Sequence, residues 1–211
     1  MPQASGARLS PVERKAQILA AARVLLEERE LDTLSVDSIA REAGVSPGLL
    51  FHYFGSLRKL RGAIVQSVAE ELLDHVAPDP ALSAEEQLRN GIGAFIDQVA
   101  LRPSVYLAVV RLTHSDPEMR RLHGSVRAAF VDWIMTGLTA AGAPRSPALA
   151  LTVKGWQAYM EEVVTSWLDH RALSRTELVD LCERSCYQLV AAALGDADLW
   201  ARVRERLGVR P

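Results

Sequence analysis

The chain of 211 residues has only two cysteines, Cys182 and Cys186. That is too few for a disulfide framework and suits a reducing cytoplasm. No apolar run approaches the ~18 residues needed to cross a bilayer, so no membrane partner is expected. The opening MPQASGARLSPVER lacks an apolar stretch of signal-peptide length, which argues against export. Also missing are a phosphate-cradling glycine loop and a Gly-x-Ser-x-Gly nucleophile motif, so nothing supports an enzyme or a bound cofactor. No metal is expected either: His114, Asp116 and His123 straddle a helix start without a known ligand spacing. Low-complexity segments, internal repeats and strand-like alternation are absent.

What the chain has is helix punctuation and apolar bulk. Apolar residues make up 49% of it, enough for a real core, in one large domain or a small one joined to a larger. The net charge of −2 is uninformative, but residues 1–62 hold nine Lys/Arg against seven Asp/Glu, and the remainder fifteen against nineteen. A mildly basic head on an acidic body is compatible with DNA contact.

Ser10-Pro11 with Glu13 supplies an N-cap, a proline at the first helical position and a capping box. Ile18, Leu19, Ala22, Leu25 and Leu26 then recur at helical spacing. Further starts stand at Ser35, Ser46-Pro47, Ser56, Ser83, Asp116-Pro117, Ser146-Pro147 and Ser174. Ala77-Pro78-Asp79-Pro80 is a breaker, Arg102-Pro103 stops one helix before another, and Gly195 closes a late one. The pattern predicts an all-α protein of nine or ten helices, with a head at 1–62 (ordered from about residue 10) and a body at 63–211.

Within the head, Leu34 to Leu60 reads as two short helices joined at Gly44, the layout of a helix-turn-helix. Ala40 is small where the helices cross, and Gly44 permits a left-handed exit without a Cβ penalty. Val45, Leu50 and Phe54 form the underside of the second helix, whose outer face carries Pro47, Gly48, Leu49, His52 and Tyr53. Ile18 through Ala22, Leu34-Ser35-Val36, Ile39-Ala40, Ala43 through Gly48, Leu50 through Phe54 and Leu60 together resemble the DNA-binding domain of TetR-type transcriptional repressors.

The resemblance covers about 45 residues and implies a homodimer on a palindromic operator in double-stranded DNA. Carried over by position, Ser35 and Ser46 would bond phosphates, Pro47, Gly48, Leu49 and His52 would face base edges, and Tyr53 would hold a phosphate. Phe51 stands where the family commonly has Tyr. The family's glycine between the first two helices is replaced by Glu30-Leu31, so that turn is made differently. Its phosphate-binding lysine is matched by Leu57, leaving Arg58 and Lys59 to substitute from a rotated position.

In the body, Leu149, Val153, Trp156, Met160, Val163 and Trp167 form one helical stripe, widened by Tyr159, Val164 and Leu168. The next helix is apolar through Leu178, Leu181, Cys182, Leu189, Val190 and Ala193. Wide arcs suggest burial on two sides, as in a four-helix dimer interface. Val163, Trp167, Leu178, Cys182, Leu189 and Ala193 are its expected members. Where TetR-like proteins hold an effector, the candidates are Asn90, Phe95, Gln98, Val99, Tyr106, Val110, Phe130, Trp133, Ile134, Trp156 and Tyr159, with Arg111 and His114. They favour an apolar or aromatic small molecule. Cys182 and Cys186, four apart, have Cβ atoms ~6 Å apart against the ~3.8 Å a disulfide needs, and read as small buried residues. Glu161-Glu162 reads as a solvated helix face. An activator or effector-independent regulator on the same fold stays open, as does a helical small-molecule binder or enzyme with a vestigial head.

Overall fold

Helix starts are set locally in this chain. The computed structural model describes residues 9–209, so the expectation of no leader at the amino terminus falls largely outside the described residues. Its ten α-helices are α1 (Pro11–Leu25), α2 (Val36–Glu42), α3 (Pro47–Phe54), α4 (Leu57–Val76), α5 (Ala84–Leu101), α6 (Pro103–Leu112), α7 (Pro117–Ala140), α8 (Pro147–His170), α9 (Arg175–Leu194) and α10 (Ala197–Leu207). Nine of them begin at a Ser or Asp whose side chain accepts a first-turn N–H, a donor with no partner inside the helix. At Ser10, Ser35, Ser83 and Ser174 the bond is reciprocated as a capping box. Helix α6 is the exception. It follows Arg102, whose side chain makes no capping bond and whose backbone sits at φ −136°, ψ 62°.

The all-α class holds, and no strand occurs among the described residues. Where Glu30-Leu31 replaces a glycine, the chain turns through a short 3-10 segment, Leu31–Thr33, pinned by the buried Leu31. An apolar anchor does there what a flexible residue would otherwise do.

Two apolar clusters organise the packing. The first joins α1, α2, α3 and the first half of α4, with Ile18, Ile39, Leu50 and Ile64 essentially inaccessible. Each such side chain stabilises the fold by ~1.5–3 kcal/mol relative to exposure. This cluster also takes in Val105 and Ala108 of α6 and Met119 of α7, so the body supports the head directly. The proposed divide at 62/63 falls inside the continuous helix α4. The second cluster fills the body, where α8 packs along α9, α5 lies between α4 and α9, and α7 backs α8. Helices α5 and α6 meet at 95°, and no single helix among the described residues is long and apolar enough to cross a membrane.

The body corrects several expectations. Leu178 and Cys182 are buried in the protomer's own core, and Trp167 is nearly so, with its indole N–H donated to the Leu173 carbonyl at 2.7 Å. They face inward toward neighbouring helices and are not free for a second chain. Val163 and Ala193 are half-buried, and Leu189 is exposed. Glu161 is also not a solvated residue: its carboxylate lies 3.4 Å from His123 Nε2 and 3.7 Å from Arg127 Nε, mostly out of water.

Candidate functional site

The turn between α2 and α3 is a glycine-terminated helix end. Gly44 has φ 64°, its N–H donates to Arg41, and the Val45 N–H reaches back to Ala40 at 2.9 Å. This paired arrangement satisfies two carbonyls the helix leaves open. From α1, the Gln17 amide donates to the Ala43 carbonyl at 2.9 Å, fixing the turn against the first helix. Ser46 then caps α3 through the Leu49 N–H, Pro47 occupies the first position, and Gly55 ends the helix at φ 77°.

Helix α3 therefore presents a defined outer face. Leu50 is buried beneath it, while Pro47, Gly48, Phe51 and His52 are exposed and Leu49 and Tyr53 half-exposed. His52 and Tyr53 meet edge to face at 5.4 Å. Ser35 is exposed at the start of α2, though its hydroxyl is engaged with the Ser38 N–H. Arg58 and Lys59 are exposed at the start of α4, whereas Leu57 packs partly into the head core. Nothing charged replaces a lysine at position 57 itself. Phe51, to which the sequence reading assigned no contact, is 49% exposed, an unusual state for a phenylalanine beside His52. The signal was its place one residue off the Leu50 and Phe54 underside.

Two apolar hollows in the body hold most of the expected effector residues. One, of about 80 Å³, lies among α4, α5, α7, α8, α9 and α10, with Phe130, Trp133, Ile134 and Trp156 in its walls. The other, of about 60 Å³, lies among α4, α5, α6 and α7 and includes Gln98, Val99 and Tyr106. Phe95 stands between them, edge to face with Tyr106 at 5.7 Å and with Phe130 at 5.9 Å. The expected effector residues thus divide between two compartments.

Several do not line either cavity. Asn90 is exposed on the outer side of α5, near the Arg175–Asp97 pair. Tyr159 is 37% exposed, because its position on α8 turns it away from α7. Val110, Arg111 and His114 lie outside both linings, the last two exposed. Conversely, Arg102 and His123 line the smaller cavity. By sequence one reads only as a helix stop and the other only as a member of a rejected metal set with His114 and Asp116. An arginine inside the otherwise apolar junction of α5 and α6 was the available signal.

Charges in this region are tightly arranged. Arg102 is 5% exposed; its Nη2 lies 3.3 Å from both Glu27 and Glu71, and its Nε donates to the Arg23 carbonyl at 3.4 Å. Arg23 in turn pairs with Glu71 at 3.0 Å. Burial, with the Glu161 carboxylate nearby, pushes the Tyr106 phenol up, so it stays protonated and can donate. Burial likewise raises the thiols, Cys182 to about 11 and Cys186 to about 12. Both are free thiols, and neither is poised to be a nucleophile.

Comparison with known proteins accounts for this arrangement. Residues 18–64 match the bacterial regulatory proteins of the tetR family, and residues 84–189, half of the chain, match the tetracyclin repressor-like C-terminal domain. Among curated proteins, the HTH-type transcriptional regulator BetI of Rhizobium meliloti is 36% identical over 121 residues, covering 54% of this chain and 58% of its own. The regulator EthR of Mycolicibacterium smegmatis is 28% identical over 117 residues, 54% of each chain. These alignments span little more than half of each relative. A tetR-family regulator from Streptomyces coelicolor superposes with a TM-score of 0.82 at 28% identity, covering 96% of this chain and 92% of that one. The chain belongs to the TetR family of bacterial regulatory proteins, which are regulators of transcription rather than enzymes.

Proposed function

We propose that this protein is a homodimeric, operator-binding repressor of the cytoplasm whose affinity for DNA is lowered by a small molecule held in its body. The observation that carries the DNA-binding half is the outer face of α3. It leaves Phe51 and His52 in water beside a serine-capped helix start, while Leu50 is locked beneath. A helix so supported fits a major groove, with Ser46 and its first-turn amides toward a phosphate and His52 toward base edges. Phe51 supplies apolar contact to thymine methyl groups. Arg58 and Lys59 flank the groove.

Dimerisation is assigned to the outer faces of α8 and α9. On α8, Leu151 (69% exposed), Gly155, Ala158 and Tyr159 share one side; on α9, Gln188, Leu189 and Ala192 do. Small residues beside exposed apolar ones allow two helix pairs to approach closely. A two-fold dimer places its two α3 helices for half-sites one helical turn apart, which requires a near-palindromic operator.

The test is binding of the purified protein to DNA from immediately upstream of its own gene, across a salt series, with selection from random DNA alongside. Saturable binding well above that of scrambled DNA supports the reading. An empty selection at low salt refutes it and leaves the head vestigial.

A further inference from the structure

Helices α4 and α7 leave an open cleft of about 1020 Å³ between them, beside the head. One wall is the first half of α4, with Arg58, Lys59 and Gln66, and the other is the start of α7, with Glu118, Arg121 and Ser125. Positions 59, 62, 63 and 66 of α4, like 118, 121, 122 and 125 of α7, recur at helical spacing, so each helix turns one continuous face to the cleft. Gly62 and Ala63 keep the floor low, and a Cβ at Gly62 would meet no atom within 4 Å.

Three exposed cations border this cleft, Arg58, Lys59 and Arg121, against the single carboxylate of Glu118. None of the three makes an ion pair among the described residues. Their neighbours in the chain behave otherwise. Arg61 donates to the Asp32 carbonyl at 2.9 Å and lies 4.0 Å from its carboxylate, and Arg120 donates to the Thr113 and His114 carbonyls at 2.8 and 3.0 Å. Arginines that hold the fold are thus tied to it, whereas the three at the cleft stand in water without a paired carboxylate. Glu118 has its own reason to be there, since a negative charge in the first turn of α7 complements the helix dipole.

We infer that the sugar-phosphate backbone of bound DNA runs at the mouth of this cleft, and that Arg121 of the body contacts a phosphate beside those met by Arg58 and Lys59. The inference rests on the DNA-binding reading above and extends the footprint from the head into the body. Two observations favour DNA as the occupant. The cleft is continuous with the outer face of α3, because Ser56 in its wall directly follows Gly55, the residue that ends α3. Its charge is also complementary to a chain of repeated anions. Leu57, where the resemblance places a phosphate-binding lysine, packs into the head core, so the cations of α4 lie on the cleft side instead. The α7 wall is fixed to the head, since Met119 is buried in the same apolar cluster as Leu50 and Leu60, with Leu122 packed against it. A phosphate contact from such a wall adds affinity and salt dependence but reads no base.

The test is a salt series of fluorescence-anisotropy titrations of the full-length protein with a duplex recovered by selection and a scrambled duplex of the same length. Arg121→Gln is expected to lower the slope of log affinity against log salt by about 0.9 per protomer. It should weaken both duplexes by the same factor, as loss of a phosphate contact does. Glu118→Gln should tighten both. Arg145→Gln removes an exposed arginine beyond the far end of α7 and should leave the slope where it was. A parental slope in Arg121→Gln, or unchanged affinity in Glu118→Gln, overturns the inference and leaves the regulator reading intact. An equal fall of slope in Arg145→Gln also overturns it, by reducing the effect to net charge. Failure of the parent protein to bind either duplex at low salt overturns both.

Discussion

The indole N–H of Trp156 in α8 donates to the Cys182 carbonyl in α9 at 3.0 Å and lies 3.1 Å from the Ser185 hydroxyl. This buried bond fixes the rotation of the two helices about their axes. With Trp156 turned inward, Leu151, Gly155 and Ala158 are turned outward on α8, and Leu189 is outward on α9. The face proposed above for a second chain is thus turned outward by an internal contact.

Charge placed on that face should divide the dimer. Leu151→Glu is expected to convert the protein to a monomer in sedimentation while preserving its helical circular dichroism, since Leu151 touches little of its own core. A variant that sediments as a dimer would remove α8 from the interface.

Gly44→Val forces a β-branched residue to φ 64°. The left-handed region costs an ordinary residue ~1–2 kcal/mol, and a β-branched one more. Urea unfolding should show that loss. No atom lies near a Cβ at this position, so the effect isolates backbone strain from crowding. Parental stability would count against the turn as described.

Recognition residues can be separated from structural ones by small substitutions. His52→Ala is exposed and should weaken operator binding without altering stability. Tyr53→Phe retains the packed ring and removes one hydroxyl, so a loss of ~0.5–1.5 kcal/mol in DNA affinity is expected if that hydroxyl meets a phosphate. Affinities unchanged in both would count against this face of α3.

Leu57→Lys puts a cation at the first position of α4. If a phosphate lies within reach, operator affinity rises and the salt slope steepens by about one per protomer. A slope equal to the parent's means α4 stands clear of the backbone.

The two buried thiols give a signed pH effect. Their pKa values are raised from 9.0 to about 11 and about 12, so well below pH 9 both thiols are protonated in the native and the unfolded chain alike. Above it the unfolded chain releases protons first, and stability falls by up to ~1.4 kcal/mol per pH unit per thiol until the folded values are reached. Urea unfolding at pH 7 and pH 10 measures the fall. Replacing both cysteines with alanine should flatten it.

Nine of the ten described helix starts were legible as local events: a Ser or Asp, a neighbour two or three residues on and frequently a proline settle the matter within one turn. The helix-turn-helix was legible for the same reason, with Gly44 and Ser46 marking both ends of its turn. Inward and outward faces of α8 and α9 were not. Both sides are apolar, and only packing decides that Cys182 and Leu178 face home while Leu151 and Leu189 face away. Arg102 escaped notice because its role depends on Glu27 and Glu71, 75 and 31 residues distant in the chain.

Helix α6 begins without a capping side chain, its start marked by Pro103 alone. Its first turn is held by Pro103 at the first position and by the Arg102 carbonyl, which accepts from the Val105 and Tyr106 N–H groups at 3.2 and 3.3 Å. Backbone amide exchange should accordingly be slow at the start of every other helix of similar burial and faster over residues 104–106. The one helix start among the described residues without a side-chain cap thus lies where the head meets the body.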